Sequence, residues 1–416
     1  MSEEISPEQQ FNSSFLKIMQ ERGLIRQCTN FAALDEALSA GPITAYVGFD
    51  ATAESLHVGH LLSLVAMRHL AACGHRIIAL VGGGTTMLGD PSFRNSTRPM
   101  LSEEDIARNI RGIRRNIENV LGDHADRLIM VDNKEWLGPV GFLEFMRDVG
   151  VHFTVARMLS MDSVQSRMDQ QQSLTMMEFS YMMLQAADFV ELSKRHGCVL
   201  QMGGSDQWGN IVNGIELGRR TGGLALFGLT TPLLTTSNGE KMGKTAGGAV
   251  WLDPDLLSPF DFWQFWRNTA DADLKRFLSI FTDLPMAMIE EIDLADMLAV
   301  KTAKKVLADR VTELVHGHDA AAEARRRSEH LFEGSADEAT HQIALLDFEK
   351  NPSLPRLLVL VGFASSMSDG RRLMAGKAVR IGSRLMTDER EVIEVSSGVS
   401  VTLSVGKKRR AVIAFV

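Results

Sequence analysis

The sequence predicts an α/β fold built on a parallel sheet, followed by an α-helical segment and a small basic α+β tail. Three observations predict it. Short apolar runs alternate with helical periodicity through residues 1–235, apolar residues fall at helical spacing from about 261 to 330, and alternating Val/Ile runs lead to Lys407-Lys408-Arg409-Arg410 near the end.

Residues 44–49, 76–81, 127–131 and 199–202 read as strands with helices between them, the pattern of a parallel sheet with right-handed crossovers. Gly82-Gly83-Gly84 and Gly203-Gly204-Ser205 follow two of these strands. Ligands in open parallel sheets sit beyond the carboxyl ends of the strands, so these turns should converge on one crevice. Phe262, Phe265, Trp266, Ala303, Val306, Leu307, Val311 and Leu314 mark the helical segment. Residues 332–355 mix Gly, Ser, Asp, Asn and two prolines around one short helical piece and read as a linker. The remainder reads as two small helices and a short sheet. The divisions are therefore 1–235 (parallel sheet with a connective insertion), 236–260 (a lysine-bearing loop), 261–335 (helical), 336–350 (linker) and 351–416 (basic tail).

At 416 residues, 45% hydrophobic and 23% charged, the chain is long enough for two or three domains with sizeable cores. No apolar run reaches the length a membrane helix needs, and the acidic start excludes a secretory signal, so no membrane partner and a cytoplasmic setting are expected. Cys28, Cys73 and Cys198 are scattered without metal-ligand spacing, which implies a reducing compartment and no structural metal. Residues 351–416 hold eleven Lys and Arg against five Asp and Glu, +6, leaving −14 to the rest of a chain whose net charge is −8. An acidic body argues against nonspecific coating of nucleic acid, and a basic tail argues for a local phosphate contact.

The most informative stretch is residues 46–60, where Tyr46 and Asp50 lead through Thr52 to His57-Val58-Gly59-His60. Here an apolar strand breaks into a polar turn and then a helix start. Helix amino termini leave N–H groups unpaired, which favours a phosphate, and Gly59 lets a purine or ribose approach the backbone. His57 and His60, three apart, share one helical face; the following apolar residues enter the core, with Arg68 and His69 on a wetter side. Alone, this H-x-G-H is equally an ordinary pair of helix-start histidines, and zinc is disfavoured because no cysteine lies close. Lys241-Met242-Gly243-Lys244-Thr245 places two lysines three apart on a glycine-bearing turn that could close on a polyphosphate; alone it is a solvated hairpin loop.

Together, and in this order, the two motifs resemble the signature pair of class I aminoacyl-tRNA synthetases, the second departing from the usual lysine-methionine-serine-lysine-serine form at Gly243 and Thr245. Further segments resemble the bacterial tyrosyl-tRNA synthetase family over nearly the whole chain. They are residues 201–210, with Gly204-Ser205-Asp206-Gln207-Trp208; residues 178–189, with Tyr181, Gln185 and Asp188 at i, i+4 and i+7; and Asp90 in residues 88–92. The methionines of the 178–189 helix read simply as core. The chain has just two tyrosines, Tyr46 and Tyr181, both at positions the family uses. The basic tail resembles the S4-like RNA-binding module.

The resemblance implies a Rossmann-like catalytic domain, an α-helical domain and the S4-like domain. It implies activation of L-tyrosine by ATP to tyrosyl-adenylate with release of pyrophosphate, then transfer of tyrosine to the 3′-terminal adenosine of tRNA(Tyr). Tyr46 and Asp188 would bond the phenolic hydroxyl, Tyr181, Gln185 and Asp90 the ammonium group, and Gln207 would face the carboxylate. Thr52, His57, His60, Lys241, Lys244 and Thr245 would be catalytic. ATP would lie against Asp50, Thr52, His57, Gly59, His60, Asp206, Lys241, Lys244 and Thr245, with Arg94 and Arg98 assisting. Mg2+ would accompany the ATP phosphates without a dedicated protein site. Arg371, Arg372, Lys377, Arg380, Lys407 and Lys408 would contact tRNA, and the family implies a homodimer. No editing domain is expected. The tryptophan enzyme of the same class, a nucleotidyltransferase sharing H-x-G-H, and a non-enzymatic RNA-binding paralogue are the competing readings.

Overall fold

In the computed structural model, the residues described are 3–6, 9–87, 101–239, 242–245, 248–333, 341–343, 353–382, 384–386, 400–406 and 409–415. The chain divides into two compact units, Met1–Ala322 and Glu323–Val416.

The first unit is built on a seven-stranded sheet. Its strands are β1 (Glu3–Glu4), β2 (Gln27–Cys28), β3 (Thr44–Phe49), β4 (Arg76–Val81), β5 (Leu128–Asp132), β6 (Cys198–Gly204) and β7 (Phe227–Thr231), in the spatial order β1-β2-β7-β6-β3-β4-β5. The five strands from β7 to β5 are mutually parallel. All of β3 except Gly48 is buried, as is all of β4 except Arg76, which is why both read as unbroken apolar runs. Sequence order runs outward from β3 through β4 to β5 on one side and from β6 to β7 on the other. The switch point therefore lies between β3 and β6, where Tyr46 pairs with Gln201. Strands β1 and β2 add an antiparallel edge that the sequence reading did not include; two-residue strands have no periodicity to read.

Four helices frame the switch point. Val58–Ala72 follows β3 and is buried along most of its length. Met176–His196 precedes β6 and packs on Trp208–Gly222, which follows it. Glu103–Leu121 is an amphipathic helix capped by Ser102, with Glu103, Glu104 and Asp105 in its first turn to complement the macrodipole. His69 corrects an expectation. It is 8% exposed, not on a wet side, and burial together with Arg22 and Arg68 holds its pKa down to about 4. The reason is tertiary: Ser14–Glu21 and Asp271–Phe281 both pack on its helix.

The helical part of this unit is Pro259–Arg267, Asp271–Phe281 and Met297–His316, joined through Phe262, Trp263, Trp266, Phe277 and Phe281. Trp263 Nε1 donates to Asp309 at 2.8 Å. Between residues 236 and 260, β8 (Lys244–Thr245) and β9 (Gly248–Ala249) form a two-stranded ribbon.

The second unit is a five-stranded sheet, β10 (His341–Ile343), β11 (Val379–Ile381), β12 (Arg384–Leu385), β13 (Ser400–Val405) and β14 (Arg409–Phe415), ordered β10-β14-β13-β11-β12. Helices Leu354–Leu360 and Met367–Ala375 supply Leu354, Leu357, Leu358 and Met374 to a core shared with Val379, Leu403 and Ile413. The stretch 336–350 lies outside the described residues except for β10, a strand where the sequence suggested a loose linker with a helical piece. Its parallel partner β14 is some seventy residues away, a pairing local sequence does not encode.

Candidate functional site

A cavity of about 730 Å3 opens at the switch point. Tyr46, Asp50, Thr52, His57, Gly59, His60, Tyr181, Gln185, Asp188, Asp206 and Gln207 all line it, so one strand-turn-helix, one helix and one strand-end loop bring these eleven positions together.

Its deep part is polar and buried. Tyr46 is 0% exposed, its ring edge-on to Phe189 with centroids 5.2 Å apart, and its hydroxyl has no hydrogen-bond partner among the described residues. Burial, with Asp188 and Cys198 nearby, raises its pKa well above the ordinary value. Asp188, 2% exposed, accepts from Trp136 Nε1 at 2.8 Å and from Asn133 Nδ2 at 3.0 Å. Burial pushes its carboxyl up to about 7; these two hydrogen bonds oppose the rise, and Asp50 and Asp132 add to it. Asn133 also accepts the Gly84 N–H at 2.9 Å, tying the Gly82-Gly83-Gly84 turn to the same cluster. The sequence reading missed Asn133 and Trp136. Both lie just past the carboxyl end of β5, a place where parallel sheets put ligand groups. Gln201, which opens the 201–210 segment but has no role in the sequence reading, is 2% exposed and lines the cavity with Oε1 lacking a partner among the described residues.

Tyr181, Gln185 and Asp188 all face the cavity, as the i, i+4, i+7 spacing requires. Tyr181 donates its hydroxyl to Asp50 at 3.1 Å, and Gln185 donates to Gln207 at 3.4 Å. Asp50, expected beside ATP, thus stands with Tyr181. Asp90, Arg94, Arg98 and Lys241 lie outside the described residues.

Nearer the mouth, Thr52 is exposed and His57 and His60 are half-buried. His57 does not ride the helix face. It is the N-cap: its Nδ1 accepts the Gly59 N–H at 3.0 Å, while His60 Nδ1 accepts the His57 N–H at 3.2 Å, a reciprocal capping box made of two imidazoles with centroids 4.1 Å apart. The Val58 N–H goes to Val250 O and the His60 N–H to His57 O. The expectation that open N–H groups of this helix start await a phosphate is therefore corrected: these four are already engaged.

The lysine loop meets the H-x-G-H motif directly. Leu252 N–H donates to Leu56 O, His57 and Trp251 form an antiparallel bridge, and Met242, Ala249 and Trp251 line the cavity. Gly243 has φ +100°, and a Cβ there would lie 2.9 Å from Gly59 N. A glycine at the position where the class carries serine is what this close approach requires. Lys244 and Thr245 are placed through their backbone in β8.

In the second unit, Arg371 and Arg372 sit on the exposed side of Met367–Ala375, with Arg372 donating to Asp369 at 2.7 Å; Lys377 follows that helix and Arg380 is in β11. Lys407 and Lys408 lie outside the described residues. No helix among the described residues is long and apolar enough to cross a membrane, and among them no three His, Cys, Asp or Glu side chains are grouped to hold a metal ion.

A doubly wound parallel sheet with H-x-G-H at its switch point and a lysine loop zipped against it defines a class I synthetase. Residues 38–333 match the model of the family described as tRNA synthetases class I (W and Y), and the chain belongs to that family. It is 48% identical to the tyrosine–tRNA ligase of Caulobacter vibrioides over 406 residues, 96% of this chain and 97% of that one. To the tyrosine–tRNA ligase of Zymomonas mobilis it is 50% identical over 407 residues, 97% and 99% of the two chains. A C-terminally truncated mitochondrial tyrosyl-tRNA synthetase of Aspergillus nidulans superposes with a TM-score of 0.69 at 30% identity, covering 77% of this chain and 95% of its own.

Proposed function

We infer that the chain is a tyrosine–tRNA ligase, which joins L-tyrosine to ATP as tyrosyl-adenylate with release of pyrophosphate and then esterifies the 3′-terminal adenosine of tRNA(Tyr). The observation that carries the choice of amino acid is the pair at the cavity floor. Tyr46 offers a buried hydroxyl without a partner, and Asp188 offers a carboxylate oriented by Trp136 and Asn133. A phenol satisfies both, whereas phenylalanine leaves the buried Tyr46 hydroxyl without a partner and offers Asp188 no further donor. Tryptophan offers only a donor, so it cannot serve the Tyr46 hydroxyl when that group donates. Purified protein should catalyse pyrophosphate–ATP exchange with tyrosine and not with tryptophan; the reverse preference would overturn the reading.

In this reading Tyr181, Gln185 and Asp90 receive the ammonium group and Gln207 faces the carboxylate. The carboxylate is ionised at neutral pH and attacks the α-phosphorus without a general base, so catalysis is positioning and charge stabilisation. Thr52 and His60 grip the leaving phosphates with His57 beside them; Gly59 and Asp206 border the nucleoside, Asp50 stands with Tyr181, and Lys241, Lys244 and Thr245 close over the pyrophosphate. Mg2+ bound with ATP would supply charge neutralisation at the phosphates.

The basic residues Arg371, Arg372, Lys377, Arg380, Lys407 and Lys408 serve tRNA, and the enzyme works in the cytoplasm. A homodimer is supported by the exposed apolar side chains Phe142, Leu143, Val151, Val155 and Met176, which are 75%, 81%, 69%, 63% and 65% exposed. Leu143→Asp should shift the sedimentation coefficient from dimer to monomer; an unshifted dimer would place the interface elsewhere.

A further inference from the structure

The loop between β3 and the His57 helix start, residues 51–56, carries Thr52, and one helix underlies it. On Glu103–Leu121 the buried stripe Ile106, Ile113, Ile117, Val120 is interrupted by Asn109, Gly112 and Asn116. Asn109, 4% exposed, donates its Nδ2 to Ala51 O at 2.7 Å. Asn116, 2% exposed, accepts the Leu56 N–H at 2.8 Å and lies 2.9 Å from Ser55 Oγ. Seven residues are about two helical turns, so the asparagines hold the two ends of the loop about 10 Å apart along the helix. Between them Gly112 lets the loop lie flat, since a Cβ there would stand 1.8 Å from Glu54 O. From the opposite side Thr86 Oγ1 accepts the Ala51 N–H at 2.8 Å.

The same helix fastens the return of the lysine loop. Asp253 donates its N–H to Ser55 Oγ at 3.1 Å, and Arg115 reaches Asp253 at 3.2 Å. Asn109, Gly112 and Asn116 are not on the cavity wall. Their buried polar contacts therefore act through the loop they hold.

We propose that Asn109, Gly112 and Asn116 are positioning residues for nucleotide activation: their helix is the template that sets where Thr52 and the His57 helix start stand, with the lysine-loop return fastened to it. The proposal rests on the reading of Thr52 and His60 as ATP-gripping groups. A displacement of 1 Å at such groups is enough to cost about 10²-fold in rate, so the effect should appear in the ATP-dependent step.

The two asparagines predict opposite responses to one isosteric change. Among the described residues Asn109 uses its N–H donor, toward Ala51 O, and Asn116 its oxygen acceptor, toward Leu56 N–H and Ser55 Oγ. Asn→Asp keeps an acceptor and removes the donor. Asn116→Asp should retain exchange kcat within roughly threefold, while Asn109→Asp should lose it by ~10-fold or more, with a raised KM for ATP and an unchanged Kd for tyrosine. Gly112→Ala should reproduce the Asn109→Asp defect, and it provides the measurement if Asn109→Asp does not fold. Exchange by the unsubstituted enzyme is the reference: its absence overturns the functional reading. Exchange present but unchanged in Asn109→Asp and Gly112→Ala, or lost together with tyrosine affinity in equal measure, overturns the proposal alone.

Discussion

The two parts of the cavity are built on different principles. The floor is carried by the middle of β3 and by Met176–His196, and its polar groups Tyr46 and Asp188 are almost fully buried. The mouth is carried by turns, with Thr52 exposed and His57 and His60 half-buried. A floor made of regular structure can hold a buried polar pair at fixed spacing, where a wrong side chain carries a full desolvation penalty. A mouth made of turns can admit a polyphosphate and change shape during the reaction, but it has to borrow its geometry from neighbours such as Asn109 and Asn116. In the proposed reading, discrimination belongs to the floor and rate to the mouth.

That division can be broken in graded ways. The largest effect should come from removing residues 351–416: tyrosyl-adenylate formation survives in the separately compact first unit, and aminoacylation of tRNA falls to background in a filter assay. Lys244→Ala should lower the rate of adenylate formation by at least ~10²-fold with tyrosine Kd unchanged, as expected of a contact made mainly in the transition state. Equal weakening of tyrosine binding would move Lys244 to the floor. Tyr46→Phe should narrow the tyrosine-over-phenylalanine preference in kcat/KM by ~10-fold, the worth of about one hydrogen bond. It should leave thermal stability of the empty protein unchanged or slightly higher, because the hydroxyl lost has no partner among the described residues.

The smallest effect is a pH dependence. The Asp188 carboxyl, raised to about 7 first by burial, is ionised above that pH and in the proposed reading accepts a charge-assisted hydrogen bond from the phenol; below it the group is protonated and that hydrogen bond is weakened. Tyrosine-over-phenylalanine preference should therefore fall as pH drops from 8 to 6, and Asp188→Asn should flatten the profile.

The legible parts of this molecule are those whose information is local. Strands β3 and β4 match the expected bounds because both are buried apolar runs between turn residues, and Tyr181, Gln185 and Asp188 declared one helix face by spacing alone. What could not be read depends on long-range contact. Asn133 and Trp136 look like ordinary residues after a strand until Asp188 is placed beside them. His69 looks amphipathic until two other helices cover it. The spacing of H-x-G-H suggests two imidazoles on one helix face, and their mutual capping appears only once the backbone turns at His57. Asn109 and Asn116 did leave a trace, as polar interruptions in an isoleucine stripe seven residues apart.

Both tyrosines of the chain, Tyr46 and Tyr181, line the cavity, one at its floor and one bonded to Asp50. Every phenol-selective signal from the folded protein therefore originates in the site. Protein grown with ring-labelled tyrosine should give two ring environments in its spectrum, both responsive to what occupies the cavity, a pair of internal reporters that requires no engineered label.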